Sequence, residues 1–110
     1  MEEIVVFVTA SSESEATKIA RHLVDYKLVA CVNILPGVRS VFRWEGKVTE
    51  EQEFLLIAKT VNQVFDQGVL AVKSLHSYSI PEIIALPIQQ GLPEYLSWIG
   101  EVTSGAREAT

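Results

Sequence analysis

The stretch from Leu28 to Thr60, LVACVNILPGVRSVFRWEGKVTEEQEFLLIAKT, decides the fold. Two extended segments meet at Glu45-Gly46-Lys47. The first carries Val29, Val32, Ile34, Val38, Val41, Phe42 and Trp44, β-branched and aromatic residues that suit a pleated surface. The second carries Val48 and the run Phe54-Leu55-Leu56-Ile57. Gly46 supplies the positive φ of a tight hairpin turn. Pro36-Gly37 predicts a kink or bulge in the first segment, because proline cannot donate to a ladder. A continuous strand over Val48–Lys59 would span roughly 40 Å at ~3.3 Å per residue. A compact chain of this length has a diameter of only about 34 Å. Either the hairpin overhangs its own domain, or Glu50, Glu51 and Gln52 break it. An overhang would leave Val41, Phe42 and Trp44 wet. These three are therefore the candidate residues for contact with other copies of the chain.

The whole chain has 110 residues, the size of one domain. The reading assigns 1–102 to that domain and 103–110, small and polar, to a frayed tail. A net charge of −5 argues against nucleic acid or an anionic membrane as partner, since both select basic faces. Cys31 is the single cysteine, so no disulfide can form within the chain. Met1-Glu2-Glu3 lacks the basic start of a signal peptide, and apolar runs such as Ile4–Val8 are too short to span a bilayer. The expectation is a reducing, cytoplasmic location.

Around the hairpin the periodicity alternates between strand and helix. Glu3–Thr9 is a continuously apolar strand of the kind buried on both faces. Ser12-Glu13-Ser14-Glu15 reads as a capping box. It is followed by Ala16, Ile19, Ala20, Leu23 and Val24 on one helical face. A second helix covers about Val61 to Leu75, with Thr60 or Asn62 as its cap. The loop His76–Pro81 leads to a strand at Glu82–Ile88, which Pro87 marks as an edge. Pro93 is placed to start a short helix through Tyr95, Leu96, Trp98 and Ile99. The order is that of an α+β, ferredoxin-like βαββαβ sandwich with a long protruding hairpin and a short C-terminal helix. Right-handed crossovers put the first and third strands in the centre.

The chain has no phosphate loop, no CxxC or HExxH, and no nucleophile–base spacing of a hydrolase. It reads as a non-enzyme. Cys31 reads as a small buried hydrophobe and His22 as surface. His76, at a helix C-terminus, suits either the helix dipole or a metal. Tyr78 and Glu82 flank Pro81 as cleft residues. Lys59 ends an apolar strand and joins them as a ligand candidate, with a Lys59–Glu82 pair in view if strands three and four lie near one edge. Trp44 and Trp98 read as packing anchors, since no basic patch accompanies them.

Ala30-Cys31-Val32-Asn33-Ile34, Pro36-Gly37 and Ser40-Val41-Phe42-Arg43-Trp44-Glu45-Gly46-Lys47 together resemble the signature hairpin of the CutA family, the divalent-cation tolerance proteins. Glu53, Leu56, Lys59 and Thr60 continue the resemblance, as do His76–Ile83, Leu86-Pro87-Ile88 and Tyr95–Ile99. The resemblance implies a tight homotrimer similar in architecture to nitrogen-regulatory trimers, a link to copper and other divalent metals, and no enzymatic activity. Ser77 stands where the family usually has proline, and Phe42 where it commonly has tyrosine. Of the positions matching proposed copper ligands, Val8 and Leu75 cannot ligate and only His76 remains. The expected metal behaviour is thus, at most, weak copper binding at His76, with no cofactor required. The alternative is a trimer that binds a metabolite in inter-subunit clefts without metal. The downstream partner is unknown from the sequence.

Overall fold

The computed structural model describes residues 2–106. The elements run β1 (Glu3–Ala10), α1 (Glu13–Asp25), β2 (Cys31–Trp44), β3 (Lys47–Val61), a single 3-10 turn (Asn62–Val64), α2 (Phe65–Leu75), β4 (Ile83–Pro87) and α3 (Pro93–Thr103). The four strands form one antiparallel sheet in the order β2-β3-β1-β4. The two continuously apolar strands occupy the centre, and β4 with its proline lies at an edge.

Strand alternation divides the sheet into two faces. Val6, Val8, Leu56, Ala58 and Thr60 face α1 and α2, meeting Leu23 and Val72 there. Ile19 and Leu56 have no exposed surface, and truncating such a residue costs ~2–5 kcal/mol. The opposite face presents Val5, Phe7, Leu55, Ile57 and Lys59, with Ile84 and Leu86 contributed by β4. α3 runs against β3 and β1, and Ile99 on it is fully buried.

The hairpin overhangs as its length predicts, and Glu50–Gln52 do not break it. β1 pairs with β3 only over Phe54–Val61, so Lys47–Glu53 of β3 continue beyond the domain with β2 as their partner. The molecule measures 43 × 30 × 22 Å as a result. The register shifts between Leu35 and Val38, so the Pro36-Gly37 bulge is real, and Gly37 has a φ of 76°. At the tip Glu45 and Gly46 both have positive φ, 51° and 79°. This is the turn geometry that matches the twist of a two-stranded ribbon.

Four local expectations are corrected. Ser12 caps α1 by accepting from the Glu15 N–H at 3.2 Å, but Glu15 does not reach back to Ser12. Its carboxylate turns instead to Ser77. Val24 is exposed rather than part of the packed face of α1. Neither Thr60 nor Asn62 caps α2: Thr60 stays in the strand, its hydroxyl donating to the Leu28 carbonyl at 2.7 Å, and α2 has no side-chain cap. The tail expected to fray from 103 is packed as far as 106, with Thr103 and Ala106 buried, while residues 107–110 lie outside the described residues.

α1 ends on a feature the sequence hides. Leu28 N–H donates to Leu23 O at 2.9 Å and Lys27 N–H to Val24 O at 3.0 Å, with Lys27 at φ 60°. This is a Schellman motif with lysine in the left-handed position usually held by glycine. Leu23 and Leu28, both buried, close it. No described helix is long and apolar enough to cross a membrane.

Candidate functional site

The overhanging hairpin and the loop before β4 enclose a cleft of about 680 Å³. One wall is the inward face of the hairpin. Beyond the bulge, alternation turns Ser40, Phe42 and Trp44 of β2 toward the cleft, with Thr49, Glu51 and Glu53 of β3 beside them. Val41 lies at its edge. The end of β1 contributes Thr9, and the other wall is Tyr78, Ser79, Ile80 and Glu82.

The Tyr78 loop is pinned by two buried polar groups. The His76 side chain has no exposed surface. Its Nε2 lies 2.7 Å from the Thr9 carbonyl and its Nδ1 lies 3.0 Å from the Tyr78 backbone nitrogen. A carbonyl only accepts and a backbone N–H only donates, so Nε2 carries the proton and the Nδ1 lone pair is taken. The Glu15 carboxylate accepts from the Ser77 N–H at 2.8 Å and the Ser77 hydroxyl at 3.2 Å, and from the Ser11 N–H at 3.4 Å. Burial acts to raise the Glu15 pKa, but the hydrogen bonds from Ser77 and Ser11 outweigh it and hold the carboxyl below its ordinary range.

Inside the cleft the Tyr78 hydroxyl donates to Glu53 Oε2 at 2.8 Å. Glu53 is 5% exposed, a carboxylate almost wholly withdrawn from water. Burial, together with the hydrogen bond and charge of Glu53, pushes the Tyr78 phenol up to about 12, so it is a donor at any physiological pH.

The structure brings together five of the residues singled out by the sequence: Tyr78 and Glu82 from the cleft set, and Val41, Phe42 and Trp44 from the interface set. Lys59 does not join them. It pairs with Val5 and Cys31 across the sheet, donates to Asn33 Oδ1, and its Nζ lies 3.9 Å from Cys31 Sγ. The suggested Lys59–Glu82 pair is therefore absent: β1 separates their strands, and Lys59 lies three residues along from Leu56, which faces the start of β4 across Val8. Cys31 is half-buried on the sheet face opposite α1 and α2, not in the core. Partial burial and the neighbouring Cys31 raise the Tyr95 phenol.

The same geometry engages both ring nitrogens of His76, the residue expected as a metal ligand. Neither ring nitrogen has a lone pair to offer, Val8 is a core residue at 1% exposure, and Leu75 has no donor atom. Among the described residues no three His, Cys, Asp or Glu side chains could hold a metal ion together. The residues around His76 do not fit a copper centre. In the sequence Glu53 and Glu15 read only as part of a motif and of a capping box, not as residues of the site. Glu53 did leave a trace, as an acidic residue on the same alternating face as Leu55 and Ile57, where burial of a carboxylate requires a partner.

A family model described as CutA1 divalent ion tolerance protein matches residues 4–102. A Thermus thermophilus protein described as divalent-cation tolerance protein CutA is 50% identical over 103 residues, 94% of this chain and 99% of its own length. The chain is 42% identical over 97 residues to protein CutA of Mus musculus, covering 88% of this chain but 55% of that longer relative. A solved structure from Archaeoglobus fulgidus, described as a periplasmic divalent cation tolerance protein, superposes with a TM-score of 0.89 at 44% identity, covering 92% of this chain and 98% of that one.

Proposed function

The chain belongs to the CutA1 divalent ion tolerance family, and from that premise we propose that it works as a homotrimer, by binding rather than catalysis, in tolerance of divalent metals such as copper or in signalling-type regulation. The observation that carries the assembly is the hairpin. It projects beyond β1 with Val41 64%, Trp44 45% and Val48 66% exposed in the single chain. Apolar surface of that kind on an overhanging ribbon is stabilised by burial against another copy. The unpaired thiol of Cys31 supports a reducing, cytoplasmic setting for this chain. Sedimentation at low micromolar concentration tests the assembly: the wild type should run as a trimer and Trp44→Ala should shift toward smaller species. A stable wild-type monomer would overturn it.

A second reading is favoured by the cleft itself. Its size is that of a small-molecule site, and it has apolar walls and a few polar groups. In this reading the clefts bind a metabolite, and metal is not held at His76.

A further inference from the structure

The His76 side chain has no exposed surface within the single chain, so its burial does not depend on how copies meet. As the neutral Nε2–H tautomer it donates to the Thr9 carbonyl at 2.7 Å and accepts the Tyr78 N–H on Nδ1 at 3.0 Å. The second bond holds only while Nδ1 is unprotonated. A proton there would set two donors against each other, and one of them would have to move. Glu15 Oε2 lies 3.8 Å from Nδ1, an anion within reach of that new proton after a small turn of the ring. At present the same oxygen accepts from the Ser77 hydroxyl at 3.2 Å. The charged groups around the ring are mostly acidic. α1 contributes Glu15, and β3 contributes Glu53 and Glu51, which act on the Tyr78 phenol, whose ring lies 4.9 Å from the imidazole. β1 faces it with the Thr9 carbonyl. His76 also ends α2, where the dipole favours a cation; Lys73 in the last turn of that helix is exposed. Carboxylates and dipole thus favour an imidazolium, while burial and the Tyr78 N–H favour the neutral ring.

We propose that His76 and Glu15 form an acid-released latch on the loop from Ser77 to Ile80. In the closed state the neutral ring holds the Tyr78 N–H and Glu15 holds Ser77. Uptake of one proton from solvent forms the Nδ1–H bond, and the imidazolium turns that hydrogen toward Glu15 Oε2. The Tyr78 N–H then loses its acceptor, and the Ser77 hydroxyl loses its share of Glu15. No other covalent bond is made or broken. Glu15 is held below the ordinary carboxylate range, so it is still charged when the ring takes up its proton. Tyr78, Ser79 and Ile80 form the wall opposite the hairpin, and the Tyr78 hydroxyl is bonded to Glu53. Release of the loop is therefore felt at the hairpin, on the face given to contact between copies. The device works through the charge of one ring and needs neither a metal nor a ligand in the cleft.

Nitrogen and amide NMR of the full chain tests this between about pH 8 and about pH 5, the interval in which histidine is the side chain that changes charge. At the upper end the His76 ring should show the Nε2–H tautomer, and the Tyr78 amide should be protected from hydrogen exchange. As the ring becomes an imidazolium, Tyr78 protection, corrected for the intrinsic rate at each pH, should fall about tenfold, while the Ala58 amide in the central strand stays unchanged. His76→Asn, whose Oδ1 accepts a hydrogen bond at every pH, should keep Tyr78 protection flat. Glu15→Gln keeps an acceptor for Ser77 but removes the anion, so it should move the loss to lower pH. This variant retains the imidazole and decides the matter even where His76→Asn does not fold. An imidazole that stays neutral throughout, or an imidazolium with Tyr78 still protected, would overturn the latch. So would the same loss in His76→Asn, or an unmoved loss in Glu15→Gln.

Discussion

Removing one oxygen, by Tyr78→Phe, isolates the interaction at the centre of the cleft. The Tyr78 hydroxyl is 2.8 Å from Glu53 Oε2, and Glu53 is 5% exposed. A hydrogen bond to an ionised group contributes ~1.5–3 kcal/mol, and its loss leaves the carboxylate buried without that donor. The expected cost is about 2 kcal/mol, or roughly 8 °C in melting temperature at about 4 °C per kcal/mol for a chain of this size. Glu53→Gln keeps an acceptor but removes the charge. In that background Tyr78→Phe should cost only about 1 kcal/mol, as for a neutral pair, so the double-mutant cycle should show a coupling near 1 kcal/mol. The pH dependence has a definite sign. The folded phenol, pushed up to about 12, lies above its ordinary value near 10, so the stabilisation is complete below pH ~10 and is lost as pH rises toward 12. Denaturant unfolding of the four proteins, with absorbance titration of the phenols, reads both effects. Equal cost of Tyr78→Phe in the two backgrounds, or no late phenol lost in the variant, would refute the reasoning.

Glu15 behaves with the opposite sign: its folded carboxyl is held low, so its stabilisation is present above the ordinary carboxylate pKa and disappears as pH falls through the folded value. Glu15→Gln should cost about 1–2 kcal/mol at neutral pH, and the gap from wild type should close in acid unfolding curves. His76→Ala should lower stability by ~2–4 kcal/mol, because the Thr9 carbonyl and Tyr78 N–H lose their partner. It should leave copper(II) affinity by calorimetry unchanged, and a clear loss of affinity would restore His76 as a ligand. At the hairpin tip, Glu45→Asn should stabilise by about 0.5–1 kcal/mol, since asparagine tolerates the left-handed backbone found at φ 51°. Gly46→Ala should destabilise by about 1–2 kcal/mol, both measured by urea midpoint; an Ala as stable as Gly would mean that the turn is not as described.

The sequence by itself determined the element order, the two central strands, the edge position of β4, the bulge at Pro36-Gly37 and the overhang of β2 and β3. These follow from information carried over a few neighbouring residues: the side-chain period, a glycine or proline at a turn, and the length of an unbroken strand compared with the size of the domain. Only the tertiary structure decided which polar groups meet. Glu53 and Tyr78 are 25 residues apart, and His76 reaches Thr9 across 67. Such pairings depend on sheet register, and the bulge resets that register by one residue. Past it, Val38 faces Glu53 and the Ser40, Phe42 and Trp44 face turns into the cleft. Lys59, only six residues from Glu53 and on the same alternating face, is carried away along the sheet to Asn33. The left-handed Lys27 was equally illegible, because its conformation is imposed by Leu23 and Leu28 packing together and not by any preference of lysine itself.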